Sequence, residues 1–148
     1  PSTSSAASDV YKRQAIHSGE YDTIVCNYAN GDMVGHSGNL AAAITAVETL
    51  DQCLAKLVSA ISEVGGQMLI TADHGNVEKM RNSDTQQAHT AHTENPVPLV
   101  YVGQQSVEFA DQGTLADVAP TLLVLKDLPI PKEMSGRSLV LSDIQQTA

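Results

Sequence analysis

One long amphipathic segment constrains the fold of this chain more than any other feature. Between Asn39 and Val64, apolar side chains recur at steps of three and four residues, which is the period of an α-helix with one buried face. Gly65 and Gly66 follow and predict the end of that helix. The helix must pack on an apolar surface, and the neighbouring segments are the candidates. The apolar positions are Leu40, Ile44, Val47, Leu50, Leu54, Leu57 or Val58, and Ile61.

Short apolar segments on both sides of this helix predict strands. Residues 21–30 (YDTIVCNYAN), 67–72 (QMLITA) and 97–103 (VPLVYVG) each have an apolar centre of strand length. Residues 114–128 predict a second helix, with Pro120 either early enough to be tolerated or at a kink. This order predicts an α/β fold with a largely parallel sheet flanked by helices. In such sheets, ligands bind at the carboxyl ends of the strands.

The first residues of the chain have a different character. Residues 1–14 (PSTSSAASDVYKRQ) are rich in Ser and Ala and show no clear hydrophobic period. We therefore expect them to form a disordered tail or a segment that is foreign to the fold. The folded domain is then expected to occupy residues 15–148.

Charge and cysteine content exclude several classes of protein. The chain has 17 acidic and 8 basic residues, and its formal charge of −9 argues against nucleic acid or an anionic membrane surface as a partner. We expect no membrane span and no secretory leader, because neither pattern is present. Cys26 and Cys53 lie in separate apolar segments, which is typical of buried, reduced thiols in a cytoplasmic protein.

Aspartate and histidine side chains gather at the ends of the predicted strands. Asp32 and His36 are four residues apart, which places both on one face if the chain is helical there. Asp73 and His74 follow the second predicted strand, and His92 precedes the third. Carboxylate and imidazole ligands suit Mn²⁺ or Zn²⁺. Five such ligands exceed what one four-coordinate ion needs, so the pattern predicts two ions with incomplete ligand shells.

Each motif alone has a simpler interpretation. An Asp and a His four residues apart are more often a helix-start pair, and an Asp-His-Gly sequence after a strand can be a capped turn. His89 is expected in a solvated loop and His17 on the surface. The combination of motifs favours a metal site. Other chemistries fit less well: GHSGN is not a GxSxG nucleophile elbow, no GxxxxGK[ST] phosphate loop is present, and an iron triad would leave one aspartate unexplained.

Several motifs in order resemble the C-terminal part of the cofactor-independent phosphoglycerate mutases, which are members of the alkaline phosphatase superfamily. The resemblance covers residues 15–143 and implies a partial alkaline-phosphatase-like domain. The matching motifs are CNYANGDMVGHSGN, ITADHGNVEKM, AHTAHTENPVPLVYVG, and TLADVAPTLL followed by PKEMSGRSLV.

The resemblance implies an activity and a set of metal ligands. The parent enzyme would interconvert 3-phosphoglycerate and 2-phosphoglycerate in glycolysis through a phosphoserine intermediate, as a cytoplasmic monomer with two Mn²⁺ ions. One Mn²⁺ would bind Asp32 and His36 together with His92, which is preferred over His89 because of the motif that follows it. The second Mn²⁺ would bind Asp73 and His74. Ser37 stands where the family commonly has Thr, and this change keeps the hydroxyl group.

Parts of the family pattern have no counterpart in these 148 residues. They are the nucleophilic serine, a further metal-binding aspartate and the phosphotransferase domain. We therefore expect a fragment of the phosphatase domain that has no mutase activity on its own. The alternatives are a fragment of a phosphopentomutase-like enzyme or phosphatase of the same superfamily, and a non-catalytic metal-binding fragment.

Overall fold

The structure is a computed structural model, and it describes residues 3–141. The chain divides into two compact units, the first ending at Val102 and the second beginning at Gly103. The first unit contains three helices and a two-stranded sheet, and the second contains one short helix preceded by a 3-10 turn. The prediction of a fold that mixes helices and strands is confirmed.

Helix α1 covers Thr3–Ser18, so the chain is helical from Thr3 onward and this segment packs on the rest of the first unit. The assignment of residues 1–14 as a tail outside the folded domain stays a prediction. Asp9 is buried and accepts hydrogen bonds from the Tyr28 hydroxyl at 2.8 Å and from Lys56 Nζ at 3.4 Å. Lys12 Nζ lies 3.3 Å from the centre of the Tyr28 ring. These long-range contacts have no signature in the sequence of the segment itself.

Helix α2 covers Asn30–Gly35, and helix α3 covers Leu40–Glu63. The bounds of α3 confirm the prediction from the apolar period. The Asn39 side chain accepts a hydrogen bond from the backbone N–H of Ala42 at 3.1 Å and caps the start of the helix. At its other end, Gly65 has a φ of 66°, and the N–H of Gly66 donates to the carbonyl of Ile61 at 2.9 Å. This is the Schellman arrangement that the Gly–Gly pair predicts.

The apolar face of α3 is buried unevenly. Cys53 and Leu57 are buried in its second half. In its first half, Leu40 is 44% exposed, Ile44 is 50% exposed and Val47 is 43% exposed. The helical period was therefore predicted correctly, while the burial of its first half was not.

Strands β1 (Met68–Thr71) and β2 (Leu99–Val102) form the sheet of the first unit. They pair antiparallel, with Met68 opposite Val102 and Thr71 opposite Leu99. The largely parallel pairing that was predicted is not present among residues 3–141. The antiparallel pairing makes the connection between the two strands, residues 72–98, leave the sheet and return to it at the same end.

The strand predicted at residues 21–30 is also wrong: residues 21–28 have no regular secondary structure and Asn30 begins α2. Ile24 is 40% exposed and Val25 is 90% exposed. An apolar sequence favours the extended state, but a strand also needs a neighbouring strand for its backbone hydrogen bonds. Within the described part of the chain, the sheet consists of β1 and β2, and residues 21–30 are not one of its strands.

In the second unit, a 3-10 turn (Leu115–Asp117) leads directly into helix α4 (Val118–Leu125). Pro120 lies in the first turn of α4, where its missing N–H is tolerated, so the early position is correct and no kink is needed. The closing segment is tied down by Thr121, which is fully buried. Its hydroxyl donates to the Asp117 carbonyl at 2.7 Å and accepts from the Leu139 N–H at 2.9 Å.

Within the described residues, none of the helices combines the length and the apolar character that crossing a membrane would require.

Candidate metal centre

The first group of candidate ligands lies on α2. Asp32 is in the first turn of this helix, and His36 is the residue at its end. Four residues are close to one helical turn, so the two side chains lie on the same face. Asp32 Oδ1 lies 3.2 Å from His36 Nε2. The expectation that the chain turns helically here is confirmed.

The second group lies on the connection between β1 and β2. Its two ends run side by side: the N–H of Thr93 donates to the carbonyl of Gly75 at 2.9 Å. This pairing brings the segment after β1, which contains Asp73 and His74, next to the returning segment that contains His92. The sequence predicted Asp73 and His74 at the carboxyl end of a parallel strand and His92 before the next strand, whereas the structure brings them together through an antiparallel pairing of the two ends of this connection.

His92 brings the two groups together. Its Nε2 lies 2.9 Å from Asp32 Oδ1 and 3.0 Å from His36 Nε2. Donor atoms at ~2.1 Å from one tetrahedral ion lie ~3.4 Å from each other. The three atoms are therefore slightly closer together than donors around a single tetrahedral ion. Two imidazoles and one carboxylate are also a ligand set that divalent Mn²⁺ or Zn²⁺ accepts, so the residues fit a metal.

The remaining two candidates lie differently. The His74 ring stacks on the His92 ring with 3.7 Å between the centroids, and donor atoms of Asp32, His74 and His92 all lie within 4.8 Å of one another. The side chain of Asp73 is 80% exposed, and its Oδ1 lies 3.7 Å from His74 Nε2. His74 is thus part of the same cluster as His92, and Asp73 lies at its solvent edge.

Neighbouring groups orient the ligands. His36 Nδ1 donates to the Thr90 carbonyl at 2.6 Å, which leaves the lone pair on Nε2 directed at the cluster. Asn76 Nδ2 donates to Asp32 Oδ1 at 2.8 Å. This hydrogen bond lowers the pKa of Asp32, and His36 and His92 lower it further. Asp32 is therefore ionised at neutral pH, as a metal ligand must be.

The other two histidines lie elsewhere. His17 is on α1, with Nε2 3.6 Å from a Glu63 carboxylate oxygen. The backbone N–H of His89 donates to the Met80 carbonyl at 3.0 Å. The expectation that neither is a ligand stays a prediction.

Sequence reasoning missed the residues that orient the ligands. The motif ITADHGNVEKM contains Asn76 but does not indicate what its side chain bonds to. Thr90 acts through its backbone carbonyl, a group that every residue has. A pattern search for carboxylates and imidazoles finds ligands only. The one available indication was the run of polar residues directly after Asp73 and His74.

Comparison with known proteins gives consistent matches. The sequence model of the Metalloenzyme superfamily matches residues 1–129. The chain is 60% identical over 125 residues to the 2,3-bisphosphoglycerate-independent phosphoglycerate mutases of Enterobacter sp. (strain 638) and Cronobacter sakazakii, and 58% identical to that of Escherichia coli K12. Each match covers 84% of this chain and 24% of the relative, so the chain spans about a quarter of the length of these relatives.

A solved structure is also similar. The phosphoglycerate mutase of Leishmania mexicana, determined at low cobalt concentration, superimposes with a TM-score of 0.84 and 35% sequence identity. The match covers 94% of this chain and 28% of that protein. The similarity therefore extends over nearly the whole of this chain.

Proposed function

The chain belongs to the Metalloenzyme superfamily, and from that premise we propose that it is the metal-binding part of a cofactor-independent phosphoglycerate mutase. The parent enzyme would be an isomerase that interconverts 3-phosphoglycerate and 2-phosphoglycerate. The observation that carries this proposal is the convergence of Asp32, His36 and His92, whose donor atoms lie 2.9–3.2 Å apart. The relatives supply the reaction, since their names state a phosphoglycerate mutase activity.

Asp32, His36 and His92 would hold one Mn²⁺, and Asp73 and His74 would contribute to a second. When bound, the two ions would supply the positive charge that neutralises the phosphoryl oxygens during transfer. The chain's own residues prepare this site. Asn76 donates a hydrogen bond to the Asp32 carboxylate, and the Thr90 carbonyl holds the His36 ring in one orientation.

The rest of the catalytic apparatus would come from other parts of the parent enzyme. These are a serine nucleophile that carries the phosphoryl group as phosphoserine, a further carboxylate for the second ion, and the domain that binds phosphoglycerate. A chain with a formal charge of −9 needs local positive charge to hold an anionic substrate, and the two metal ions would supply it. We place the parent enzyme in the cytoplasm, as a monomer that binds neither nucleic acid nor membranes.

Isothermal titration with Mn²⁺ tests the ligand assignment. We expect the wild-type chain to bind Mn²⁺, and Asp32→Ala and His92→Ala to lose that binding. His89→Ala is the matched control, since it removes a histidine from the same connection without touching the cluster, and its affinity should be unchanged. Wild-type affinity in both ligand variants would contradict the proposal.

A further inference from the structure

Glu78 joins the two segments that carry His74 and His92. Its Oε2 accepts a hydrogen bond from the backbone N–H of Asn76 at 2.6 Å, on the segment after β1. Its Oε1 accepts from the Thr93 hydroxyl and, at 3.0 Å, from Asn95 Nδ2, both on the returning segment. One carboxylate thus bonds both to the segment that follows β1 and to the segment that leads back to β2.

The residues that Glu78 contacts are the neighbours of the proposed ligands. Thr93 directly follows His92, so the position of its hydroxyl constrains the backbone that carries the His92 ring. Asn76 lies two residues after His74 and its side chain donates to Asp32 Oδ1 at 2.8 Å. The residues that Glu78 bonds directly therefore lie next to His92, two residues from His74, and in a hydrogen bond with Asp32.

Glu78 is exposed, and its carboxylate lies close to Gly75 and Thr93. A methyl group added at Gly75 would meet both the Thr93 hydroxyl and Glu78 Oε1. Gly75 is buried, and its carbonyl accepts the Thr93 N–H at 2.9 Å. The hydrogen bond from Thr93 lowers the pKa of Glu78, so the carboxylate is ionised and can only accept.

We propose that Glu78 is a positioning residue that sets the affinity of the metal centre, by fixing the His92 segment against the Asp73–Asn76 turn through Thr93, Asn95 and the Asn76 backbone. This inference rests on the proposed metal-binding function. Glu78 is outside the group of clustered donor atoms of Asp32, His74 and His92, and its oxygens accept from Thr93, Asn95 and the Asn76 N–H instead. Glu78 would affect a bound ion by holding His92 and Asn76 in position.

Titration of the chain with Co²⁺ tests this role, because the visible absorption of Co²⁺ reports its coordination geometry as well as its affinity. In Glu78→Ala we expect the dissociation constant to rise by ~10–100-fold, as is common when a group that orients ligands is removed. The Co²⁺ spectrum should change as well, because His92 is no longer fixed. In Glu78→Gln the amide oxygen still accepts from Thr93, but its nitrogen cannot accept from Asn76, so an intermediate affinity is expected.

Glu94→Ala is the matched control, since it removes an exposed carboxylate between Thr93 and Asn95. It should leave the affinity and the spectrum unchanged. Thr93→Val supplies a second route should Glu78→Ala fold poorly, because it removes the hydroxyl donor and nearly keeps the shape of the side chain. By itself, Thr93→Val should weaken binding, because it removes one of the hydrogen bonds by which Glu78 holds the segment that carries His92.

The outcomes separate this inference from the function on which it rests. Binding by the wild type together with equal affinities and spectra for Glu78→Ala and Glu94→Ala would overturn the role of Glu78 and leave the metal site intact. Unchanged affinity and spectrum in folded Thr93→Val would also overturn it. Failure of the wild type to bind Co²⁺ or Mn²⁺ would remove the proposed function itself. Weakened binding in folded Glu78→Ala, with normal binding in Glu94→Ala, is the result that the structure predicts.

Discussion

Asn76 shows how closely the single residues around the cluster are fitted. It is 5% exposed, and its Nδ2 donates to Asp32 while its Oδ1 is buried without a hydrogen-bond partner among the described residues. An unsatisfied buried carbonyl destabilises the fold. The side chain is held in this position by contact with Gly35 on α2, where there is room for a hydrogen atom but not for a methyl group. Gly35 therefore allows α2 to approach the turn that carries Asn76.

Gly35→Ala tests this contact at the scale of one residue. Alanine is the better helix former, yet its methyl group would collide with the Asn76 amide. We expect a loss of about 1–3 kcal/mol in the free energy of unfolding, measured by urea denaturation. Mn²⁺ affinity should fall as well, because the displaced amide no longer bonds to Asp32.

Gly31→Ala is the control on the same helix, because a methyl group there meets nothing within 4 Å. It should leave Mn²⁺ affinity unchanged and the free energy of unfolding equal or slightly higher. Equal behaviour of the two variants would show that the fit between Gly35 and Asn76 has no energetic consequence.

At the scale of secondary structure, α3 depends on its capping residues more than on the burial of its whole apolar face. The Asn39 side chain satisfies the Ala42 N–H at the start, and the Gly65–Gly66 pair ends the helix. Burial is concentrated in the second half, at Cys53 and Leu57. The first turns therefore rely on the cap for a larger part of their stability.

Asn39→Ala should lower the free energy of unfolding by ~1 kcal/mol, because the N–H of Ala42 loses its acceptor. Urea denaturation followed by circular dichroism measures this change. Asn39→Asp keeps a side-chain acceptor and adds a charge that favours the helix dipole, so it should retain wild-type stability. An undiminished stability in Asn39→Ala would mean that the cap does not support the helix.

In the second unit, Asp117 links the 3-10 turn to the closing segment. Its carboxylate accepts from the Arg137 and Thr114 backbone N–H groups, each at 2.8 Å, and from the Thr114 hydroxyl at 3.1 Å. These hydrogen bonds, that of Arg137 foremost, lower the pKa of Asp117 in the folded state. The folded protein then binds fewer protons at this group than the unfolded chain does, so the stability from Asp117 is present above pH ~3.9 and is lost as the pH falls through the lower folded pKa.

Thermal unfolding between pH 2.5 and 6 checks this sign. Asp117→Asn should be less stable than the wild type at pH 6, and the difference should shrink as the pH falls below ~4. The exposed Asp111 offers the control, and Asp111→Asn should keep a constant small difference across the range. A gap between Asp117→Asn and the wild type that widens in acid would contradict the assignment.

At the scale of the whole molecule, the sequence predicted features that depend on local spacing and failed where distant partners decide. The limits of α3 and the shared face of Asp32 and His36 follow from neighbours a few residues away. The strand expected at residues 21–30 and the parallel pairing each depended on contacts that one segment does not encode. Tyr28 illustrates this, because its hydroxyl bonds to Asp9 on α1 rather than contributing to a strand.

The candidate site also has a part that the sequence predicts, its ligands, and a part that it does not, the groups that orient them. Its ligand types could be predicted because Asp and His chemistry is visible in the sequence, and the structure brings Asp32, His36 and His92 together with His74. The orienting groups could not, since the Thr90 carbonyl and the Glu78 carboxylate gain their roles only from the antiparallel pairing of Gly75 with Thr93. Assignment of Asp73 and His74 to a second ion stays a prediction.

The chain of 148 residues should show no mutase turnover by itself. The two ligands proposed for the second ion, Asp73 and His74, would be too few to close its shell, and the chain spans about a quarter of the length of its relatives. A coupled assay with enolase, in the presence of Mn²⁺ and 3-phosphoglycerate, measures this. Turnover by this chain alone would refute the expectation. A complete mutase added to the same mixture is the control, because it shows that the enolase and the other assay components work.

The central claim is that Asp32, His36 and His92 bind one divalent ion, and a crystal structure of the chain grown with Mn²⁺ tests it most directly. Data collected at the manganese absorption edge locate the ion independently of any assumption about its ligands. We predict an anomalous peak at roughly 2.0–2.3 Å from Asp32 Oδ1, His36 Nε2 and His92 Nε2. A fully occupied Mn²⁺ bound elsewhere, or no peak at these three atoms at saturating Mn²⁺, would contradict the account.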